Sequence, residues 1–147
     1  MHGVLSLMST IRTDYERLSL TTKSQGHERV PSVSGLNWGQ RVGRNENQAY
    51  LAVPVSVQQT GFFPPIGDHF IMNCDDGTSF VCVRAQQNGK AIHTPYDNSL
   101  LGKYFRSRLG VELGDPVLMV HLINYGRTSV DVFKDGENKY YLDFAQS

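Results

Sequence analysis

Only one segment of this sequence, residues 100–109, has the clear pattern of an amphipathic helix. The scarcity of helical patterns elsewhere is the strongest constraint on the fold. Asn98 and Ser99 can cap the segment, and Gly110 can end it. Its apolar residues fall on one face, which we expect to pack on the core: Leu100, Leu101, Tyr104, Phe105 and Leu109. One helix among many short apolar runs predicts a mainly β protein with a minor helical part.

Short runs of β-forming residues separated by turn signals account for most of the remaining chain. We expect strands over residues 49–57, 69–73, 79–84, 117–124, 128–134 and 139–144. Asp75, Asp76 and Gly77 lie between the second and third of these runs and predict a hairpin. The number of strands favours an open or closed β-barrel, and the 147 residues are enough for one domain.

Two polar stretches interrupt the strands. Residues 34–48 hold glycines, asparagines, glutamines and arginines around Trp38, and their composition predicts a long exposed loop that Trp38 anchors to the core. Residues 86–98 predict a second polar loop. The first 20–25 residues are mixed and polar, as in an edge strand or a linker. We therefore expect residues 1–28 to form a linker or peripheral N-terminal segment and residues 29–147 to form the domain.

The net charge of zero conceals an uneven distribution along the chain. Residues 29–48 carry +2 and residues 81–110 carry +4, whereas residues 49–80 and 111–147 carry −3 each. Both basic segments overlap a polar loop. This pattern favours a polar protein with one basic face, which suits a nucleic-acid partner.

Motifs of known catalytic or metal chemistry are missing from the sequence. It contains no Gly-x-Ser-x-Gly, no phosphate-binding glycine loop and no Cys-x-x-Cys, and its five histidines are scattered. We therefore predict no catalytic residue, no metal and no cofactor. Cys74 and Cys82 are expected to be buried thiols in a reducing compartment. No apolar run is long enough to span a membrane, so we expect no membrane partner.

The two polar loops are rich in the side chains that read base edges in the major groove. Arginine pairs with guanine, asparagine and glutamine pair with adenine, and a carboxylate accepts from cytosine. The first loop offers Gln40, Arg41, Arg44, Asn45, Glu46, Asn47 and Gln48. The second and its flanks offer Arg84, Gln86, Gln87, Asn88, Lys90, His93, Asp97 and Asn98. Composition alone supports DNA reading only weakly, because loops are commonly made of such residues.

The order of residues in these loops resembles the B3-like DNA-binding domain of NgoFVII/NgoAVII-type restriction endonucleases. The resemblance begins with Ser-Gly-Leu-Asn-Trp-Gly-Gln-Arg at 34–41 and Gly-Arg-Asn-Glu-Asn-Gln-Ala-Tyr at 43–50. It continues through Phe-Phe-Pro at 62–64, Gln-Asn-Gly-Lys-Ala-Ile-His-Thr at 87–94 and Tyr-Phe-Arg at 104–106, and ends with Tyr-Leu-Asp-Phe at 141–144. It covers about residues 30–145, and a more distant likeness to plant B3 domains accompanies it.

This resemblance implies a seven-stranded open pseudobarrel with short helices at its ends and two arms that grip the DNA major groove. On this chain the N-arm is residues 40–50 and the C-arm is residues 84–94. The implied N-arm contacts are Gln40, Arg41, Arg44, Asn45, Glu46, Asn47, Gln48 and Tyr50. The implied C-arm contacts are Arg84, Gln86, Gln87, Asn88, Lys90, His93 and Thr94. We expect Lys103, Arg106 and Arg127 to bind phosphates.

The resemblance also implies a role as the specificity domain of a bacterial cytoplasmic restriction endonuclease. Full-length relatives carry a nuclease domain upstream, and the expected partner is double-stranded DNA with a short, GC-rich site. The alternative from the residues alone is a β-barrel interaction or ligand-binding module with no DNA role. A self-sufficient nuclease is disfavoured because the sequence contains no catalytic cluster.

Overall fold

The computed structural model describes residues 14–146, in which short strands and helices alternate. The strands are β1 (Tyr15–Ser19), β2 (Thr22–Ser24), β3 (His27–Arg29), β4 (Leu51–Ala52), β5 (Phe70–Cys74), β6 (Ser79–Ala85), β7 (Ala91–His93), β8 (Ser129–Lys134) and β9 (Lys139–Asp143). The α-helices are α1 (Val55–Gln58), α2 (Leu100–Leu109) and α3 (Met119–Tyr125). Two 3-10 helices span Gly35–Gln40 and Gln87–Gly89.

Seven of the strands form one sheet in the order β1-β8-β9-β5-β6-β7-β4. Strands β5 and β9 pair in parallel, and the other neighbours in this sheet are antiparallel. The edge strands β1 and β4 approach each other, so the sheet curls into a nearly closed barrel. This architecture confirms the predicted seven-stranded open pseudobarrel with short helices.

Alternate residues of the sheet point into the barrel and make its core. In β8 and β9 the inward side chains are completely or almost completely buried: Val130, Val132, Tyr140 and Leu142. Helix α2 adds Leu101, Tyr104 and Phe105 to the same cluster. Cys74 and Cys82 are free and buried, as the sequence predicted.

Helix α2 and the β5–β6 hairpin have the predicted positions. Gly110 ends the helix with φ of 73°, the left-handed conformation that glycine tolerates. The predicted cap differs in detail, because Ser99 forms no side-chain capping bond. The carboxylate of Asp97 instead accepts bonds from the Ser99 backbone N (3.0 Å) and hydroxyl (2.6 Å). Leu100, expected in the core, is 41% exposed.

Two predicted strands are wrong in the structure. The run over residues 49–57 forms only the two-residue strand β4 before Pro54, after which the chain turns into α1. The run over residues 117–124 lies mostly in helix α3. There the Leu118 backbone N donates to Nδ1 of His121 at 2.8 Å, and burial of Leu122 attaches the helix to the core.

The N-terminal segment contributes to the domain rather than only leading to it. Strand β1 pairs with β8 along its whole length and buries Leu18 completely. This agrees with the edge-strand interpretation of the segment, and it places the first strand of the sheet before residue 29.

Candidate nucleic-acid interface

The N-arm begins on a buried foot, the 3-10 helix Gly35–Gln40. Leu36, Asn37, Trp38 and Gly39 are all buried, which contradicts the expectation that residues 34–48 form an exposed loop throughout. The side-chain amide of Asn37 makes this burial possible because its polar atoms are all bonded. Its nitrogen donates to the carbonyls of Pro31 (2.9 Å) and Val117 (2.8 Å), and its oxygen accepts from the Val117 backbone N (2.8 Å).

Two glycines let the N-arm lie directly against its supports. At Gly39 a Cβ atom would overlap backbone atoms of Asn45 and Gln48, and at Gly102 on α2 it would overlap the carbonyl of Asn47. The Gly39 backbone N donates to the Gln48 carbonyl at 2.8 Å. The N-arm is therefore packed between the 3-10 helix and α2, with no space for a side chain at either contact.

Several N-arm amides that composition suggested as base readers hold the arm in shape instead. The Gln40 nitrogen donates to the carbonyls of Glu46 (3.0 Å) and Gly114 (3.2 Å). Asn45 Oδ1 accepts from the Asn47 backbone N, and Asn47 Oδ1 accepts from the Gly114 backbone N at 2.7 Å. These bonds define a preorganised arm whose conformation does not depend on a ligand.

Two N-arm residues, Arg44 and Tyr50, pack against Trp38. The guanidinium of Arg44 lies 4.0 Å from the centroid of the Trp38 ring, and its Nη1 donates to Oε1 of Gln48 at 2.9 Å. Tyr50 packs edge-on against the same indole. Trp38 is 9% exposed, which confirms its predicted role as an anchor. Arg44 is thus exposed and is held against the ring of Trp38.

Two exposed charges complete the N-arm. Arg41 Nε donates to the Val33 carbonyl at 2.9 Å, which uses one of its five N–H donors. The carboxylate of Glu46 lies beside Gly114. Both side chains remain open to solvent.

The C-arm is fixed at its base by Arg84, which is only 8% exposed. Its Nε donates to the Pro64 carbonyl at 3.0 Å, and its Nη1 lies 3.4 Å from the carbonyls of Gln58 and Gly89. The prediction that Arg84 contacts DNA is therefore wrong for this structure. Its guanidinium satisfies backbone oxygens and supports the turn above it.

The tip of the C-arm presents side chains with no internal role. Gln86, Gln87, Asn88 and Lys90 are exposed, and within residues 14–146 their side chains form no hydrogen bond or ion pair. Gln86 and Asn88 have φ of 65° and 61°, and they form a tight turn together with the buried Gly89. Three amides and an ammonium group therefore stand free at the tip.

The last two predicted C-arm residues lie beyond the tip. Thr94 is buried, and its hydroxyl donates to the Asp97 carbonyl at 2.5 Å, so it is not available to DNA. His93 is half-buried beside Trp38, with ring centroids 6.2 Å apart. Its Nδ1 is buried without a hydrogen-bond partner in the described structure, and burial lowers the pKa of the imidazole. Burial therefore favours the neutral imidazole.

A short strand pair connects the two arms. Strand β4 follows the N-arm and pairs antiparallel with β7, which follows the C-arm tip. The Val53 backbone N donates to the Lys90 carbonyl at one end of this pair, and Tyr50 and His93 flank the other end. Lys90 and His93 are three residue steps apart, which is about 10 Å at the rise of a β-strand. The arms thus lie at opposite ends of a rigid segment of sheet.

The predicted phosphate contacts differ in how accessible they are. Arg106 is completely buried, and its guanidinium donates to the carbonyls of Asp115 (2.8 Å), Gly102 (3.2 Å) and Leu36 (3.3 Å), so its assignment to phosphate is wrong. Arg127 already pairs with Asp131 and Asp143.

Lys103, the third predicted phosphate contact, is half-buried on α2 next to Gly102. Its ammonium has no ion pair within residues 14–146. Lys103 is therefore the accessible member of the predicted set, and it lies next to the glycine that supports the N-arm.

The basic segment 81–110 consequently exposes much less charge than its sequence suggests. Arg84 and Arg106 are buried on carbonyls, and Arg108 forms a salt bridge to Asp75 at 2.8 Å. Lys90 and Lys103 are left as its unpaired cations in the described structure. The sequence could not reveal these pairings because most of the partners are backbone carbonyls.

One exposed feature near the N-arm was missed by the sequence analysis. The β2–β3 hairpin lies wholly outside the barrel, and the expectation of a linker there gave no sign of paired strands. The Gln25-Gly26 pair is the available signal, since both residues adopt the positive φ of a two-residue hairpin turn.

Metal and membrane features are absent from the part of the chain that the structure describes. No group of three or more His, Cys, Asp or Glu side chains in residues 14–146 is arranged to hold a metal ion. No helix there is both long and apolar enough to cross a bilayer.

A curled, nearly closed seven-stranded sheet with short helices is consistent with a B3-like DNA-binding domain. Comparison with protein families supports this class, because residues 10–135 match the NgoFVII C-terminal B3-like DNA-binding domain. The match covers most of the chain, and the chain belongs to this family. A search of curated proteins finds no match.

Proposed function

We propose that this domain recognises a short sequence in double-stranded DNA by inserting its two arms into the major groove. The observation that carries the proposal is the free C-arm tip, where Gln86, Gln87, Asn88 and Lys90 are exposed without internal partners. Amide and ammonium groups in this state match the donors and acceptors of base edges in the major groove. A preorganised N-arm faces the same strand pair from its other end.

The dimensions of the strand pair support simultaneous entry of both arms. About 10 Å of strand separates Lys90 from His93, and the major groove of B-DNA is about 12 Å wide. In this arrangement Gln87, Asn88 and Lys90 read bases from the C-arm. Arg41, Arg44 and Gln48 read bases from the N-arm, while Lys103 binds a phosphate. Each good bidentate pair gives about 1–3 kcal/mol of discrimination.

The rigidity of both arms favours recognition over non-specific binding. Buried side chains fix the foot of each arm, and the amides of Gln40, Asn45 and Asn47 bond to backbone groups. Little backbone entropy is therefore lost when DNA binds. The small number of free cations also limits the sequence-independent phosphate attraction. Selectivity then depends largely on contacts to bases.

We further propose that the domain directs a nuclease domain carried upstream in the full-length bacterial cytoplasmic protein. The family's name refers to a C-terminal DNA-binding domain, which supports such a division of labour. The target we propose is short and GC-rich, since Arg41, Arg44 and Lys90 are suited to guanine. Catalysis is assigned to the other domain and not to this one.

Selection of bound duplexes from a random pool tests the proposal directly. We expect one short sequence to be enriched and to bind more tightly than its scrambled form. Arg44→Ala and Lys90→Ala should each remove this preference and leave the fold intact. Lys139→Ala is the matched control, because it removes the same charge from an exposed position on β9.

Two results would contradict the proposal. If no duplex is enriched, the domain does not read DNA sequence. If both arm variants discriminate as well as the original chain, the arms are not the reading elements. A plasmid-nicking assay with Mg²⁺ and with EDTA checks the assignment of catalysis, because Mg²⁺-dependent cutting by the pure domain would overturn it.

A further inference from the structure

The β2–β3 hairpin is the one strand pair in the described structure that contributes nothing to the barrel core. All eight residues from Thr22 to Arg29 are exposed. A two-stranded hairpin is at best marginally stable alone in water, and this one gains no apolar burial. Its side chains are therefore free to serve a surface function.

The register of the hairpin separates its side chains into two different faces. Thr22 lies opposite Arg29 and Ser24 lies opposite His27, and alternation along each strand places these four on one face. That face carries two hydroxyls, an imidazole and a guanidinium. Hydroxyl and guanidinium donors are the usual partners of DNA phosphate oxygens.

The acidic side chain of the hairpin lies on the other face. Glu28 is opposite Lys23, and its Oε2 accepts a bond of 2.6 Å from the Thr21 hydroxyl. Arg29 forms no ion pair or side-chain hydrogen bond within residues 14–146. One face thus presents an unpaired cation with hydrogen-bond donors, while the carboxylate is held away from it.

The hairpin face that carries Arg29 is continuous with the proposed DNA interface. Thr22 lines a cleft together with Thr21, Ser34, Tyr50 and Ala52. Tyr50 belongs to the N-arm, and Ala52 belongs to the strand pair between the arms. The base of the hairpin therefore adjoins the N-arm, and the hairpin extends about 10 Å from it at the rise of a β-strand.

We propose that this hairpin is a third DNA contact, in which Arg29 binds a backbone phosphate of the duplex beside the segment that the arms read. The inference rests on the proposed DNA-binding function. It also adds a cation to Lys90 and Lys103 of segment 81–110, because the arginines of that segment are buried or paired. The contact is to phosphate, so it strengthens binding to any duplex and does not change the sequence preference.

Salt dependence of duplex binding tests this contact and does not require the target sequence. An end-labelled 24-base-pair duplex of random sequence is titrated with protein at several salt concentrations. Each phosphate neutralised in B-DNA contributes about 0.9 to the slope of log K against log salt. We expect Arg29→Ala to reduce the slope by about 0.9 and Arg29→Lys to restore most of it.

The hairpin provides its own matched control. Lys23→Ala removes one positive charge from the opposite face, so it should change the slope much less than Arg29→Ala. Because both positions are exposed, the thermal unfolding midpoint should stay the same in each variant. A hairpin that binds a protein instead of DNA leaves the slope unchanged.

The outcomes separate this inference from the function on which it rests. If the original chain binds the duplex and Arg29→Ala keeps the full slope, the hairpin contact is wrong and DNA binding stands. If Arg29→Ala and Lys23→Ala reduce the slope equally, the face assignment is overturned. If the original chain binds no duplex at any salt concentration, both proposals fail.

Discussion

The guanidinium of Arg106 and the side-chain amide of Asn37 meet inside the protein, with Nη2 of Arg106 3.4 Å from Oδ1 of Asn37. Asn37 lies in the foot of the N-arm, and Arg106 lies in the last turn of α2. The same guanidinium also binds the carbonyl of Leu36. The foot of the N-arm is thus fixed to the core by buried polar contacts as well as by apolar packing.

Replacement of Arg106 by Met should destabilise the fold strongly and not act as loss of a phosphate contact. The change removes this donor from the buried carbonyl of Leu36 and from the partly buried contact with the Asp115 carbonyl, and each unsatisfied buried group costs about 1–3 kcal/mol. We expect the free energy of unfolding to fall by about 3 kcal/mol, measured by urea denaturation. Lys103→Met is the control on the same helix and should change stability by less than about 0.5 kcal/mol.

The two variants should differ in the opposite way in DNA binding. At a temperature where both are folded, Lys103→Met should reduce the salt slope and Arg106→Met should not. An Arg106→Met protein of normal stability with a reduced slope would show that this guanidinium reaches DNA.

Asp75 is expected to make the stability of the domain depend on acidic pH. Arg108 donates to both carboxylate oxygens of Asp75 at 2.8 Å, and the Phe144 backbone N donates to one of them at 2.8 Å. Desolvation by burial raises the pKa of Asp75, but the bonds from Arg108 and Phe144 together lower it further, so the net pKa lies below its usual value. The ionised carboxylate therefore stabilises the folded state.

The sign of the effect follows from this lowered pKa. The stabilisation is complete above the unfolded-state pKa of about 3.9 and is lost as pH falls through the lower pKa of the folded state.

Asp75→Asn should reduce the free energy of unfolding by about 3 kcal/mol at pH 7. Below about pH 4, the stability of this variant should fall less steeply than that of the original chain. Asp76→Asn, in the exposed part of the same turn, should cost less than about 1 kcal/mol. Denaturation curves at several pH values measure both, and an equal acid slope in Asp75→Asn and the original chain would refute the assignment.

The sequence predicted the elements whose signals are local. The C-terminal end of α2 follows from Gly110, and the β5–β6 hairpin follows from Asp76 and Gly77, so neighbouring residues are sufficient to define them. Helix α3 escaped prediction because its run of apolar residues also suits a strand. Burial of Leu122 and the bond from the Leu118 backbone N to His121 stabilise the helix. The burial of Leu122 depends on the folded chain, so the sequence could not show it.

The sequence identified two candidate segments, but it could not assign roles to the single residues within them. Polar composition located both arms, yet it could not distinguish the free Gln87 from the shape-holding Gln40, because that depends on the Gly114 carbonyl. Arg84 and Arg106 were assigned to DNA from their charge and their place in the resemblance. Their partners are backbone carbonyls, which have no signature in sequence.

Gly102→Ala should displace the N-arm because a Cβ there would overlap the carbonyl of Asn47. Inserting a methyl group into a packed contact costs about 1–3 kcal/mol, and discrimination between the selected and scrambled duplexes should fall even where the protein is folded.

Gly110→Ala is the control at the end of the same helix, since its Cβ would meet no atom within 4 Å. It should cost about 1 kcal/mol through its left-handed backbone and leave discrimination unchanged. Equal discrimination by Gly102→Ala and the original chain would show that the arm does not need this support.

Emission from Trp38, the one tryptophan of the chain, should report engagement of the N-arm with DNA. The Arg44 guanidinium covers the indole at 4.0 Å and donates to Gln48, so pairing of Arg44 with a guanine should change the surroundings of the ring. Arg44→Ala should therefore shift the emission of the free protein to longer wavelength, because the ring becomes more exposed to water. Arg41→Ala should not shift it, since Arg41 bonds to the Val33 carbonyl instead.

In the original chain, the selected duplex should change the emission of Trp38 more than its scrambled form, and Arg44→Ala should abolish this difference. A difference of the same size in Arg44→Ala would mean that Arg44 stays on the indole and that another N-arm residue reads the base.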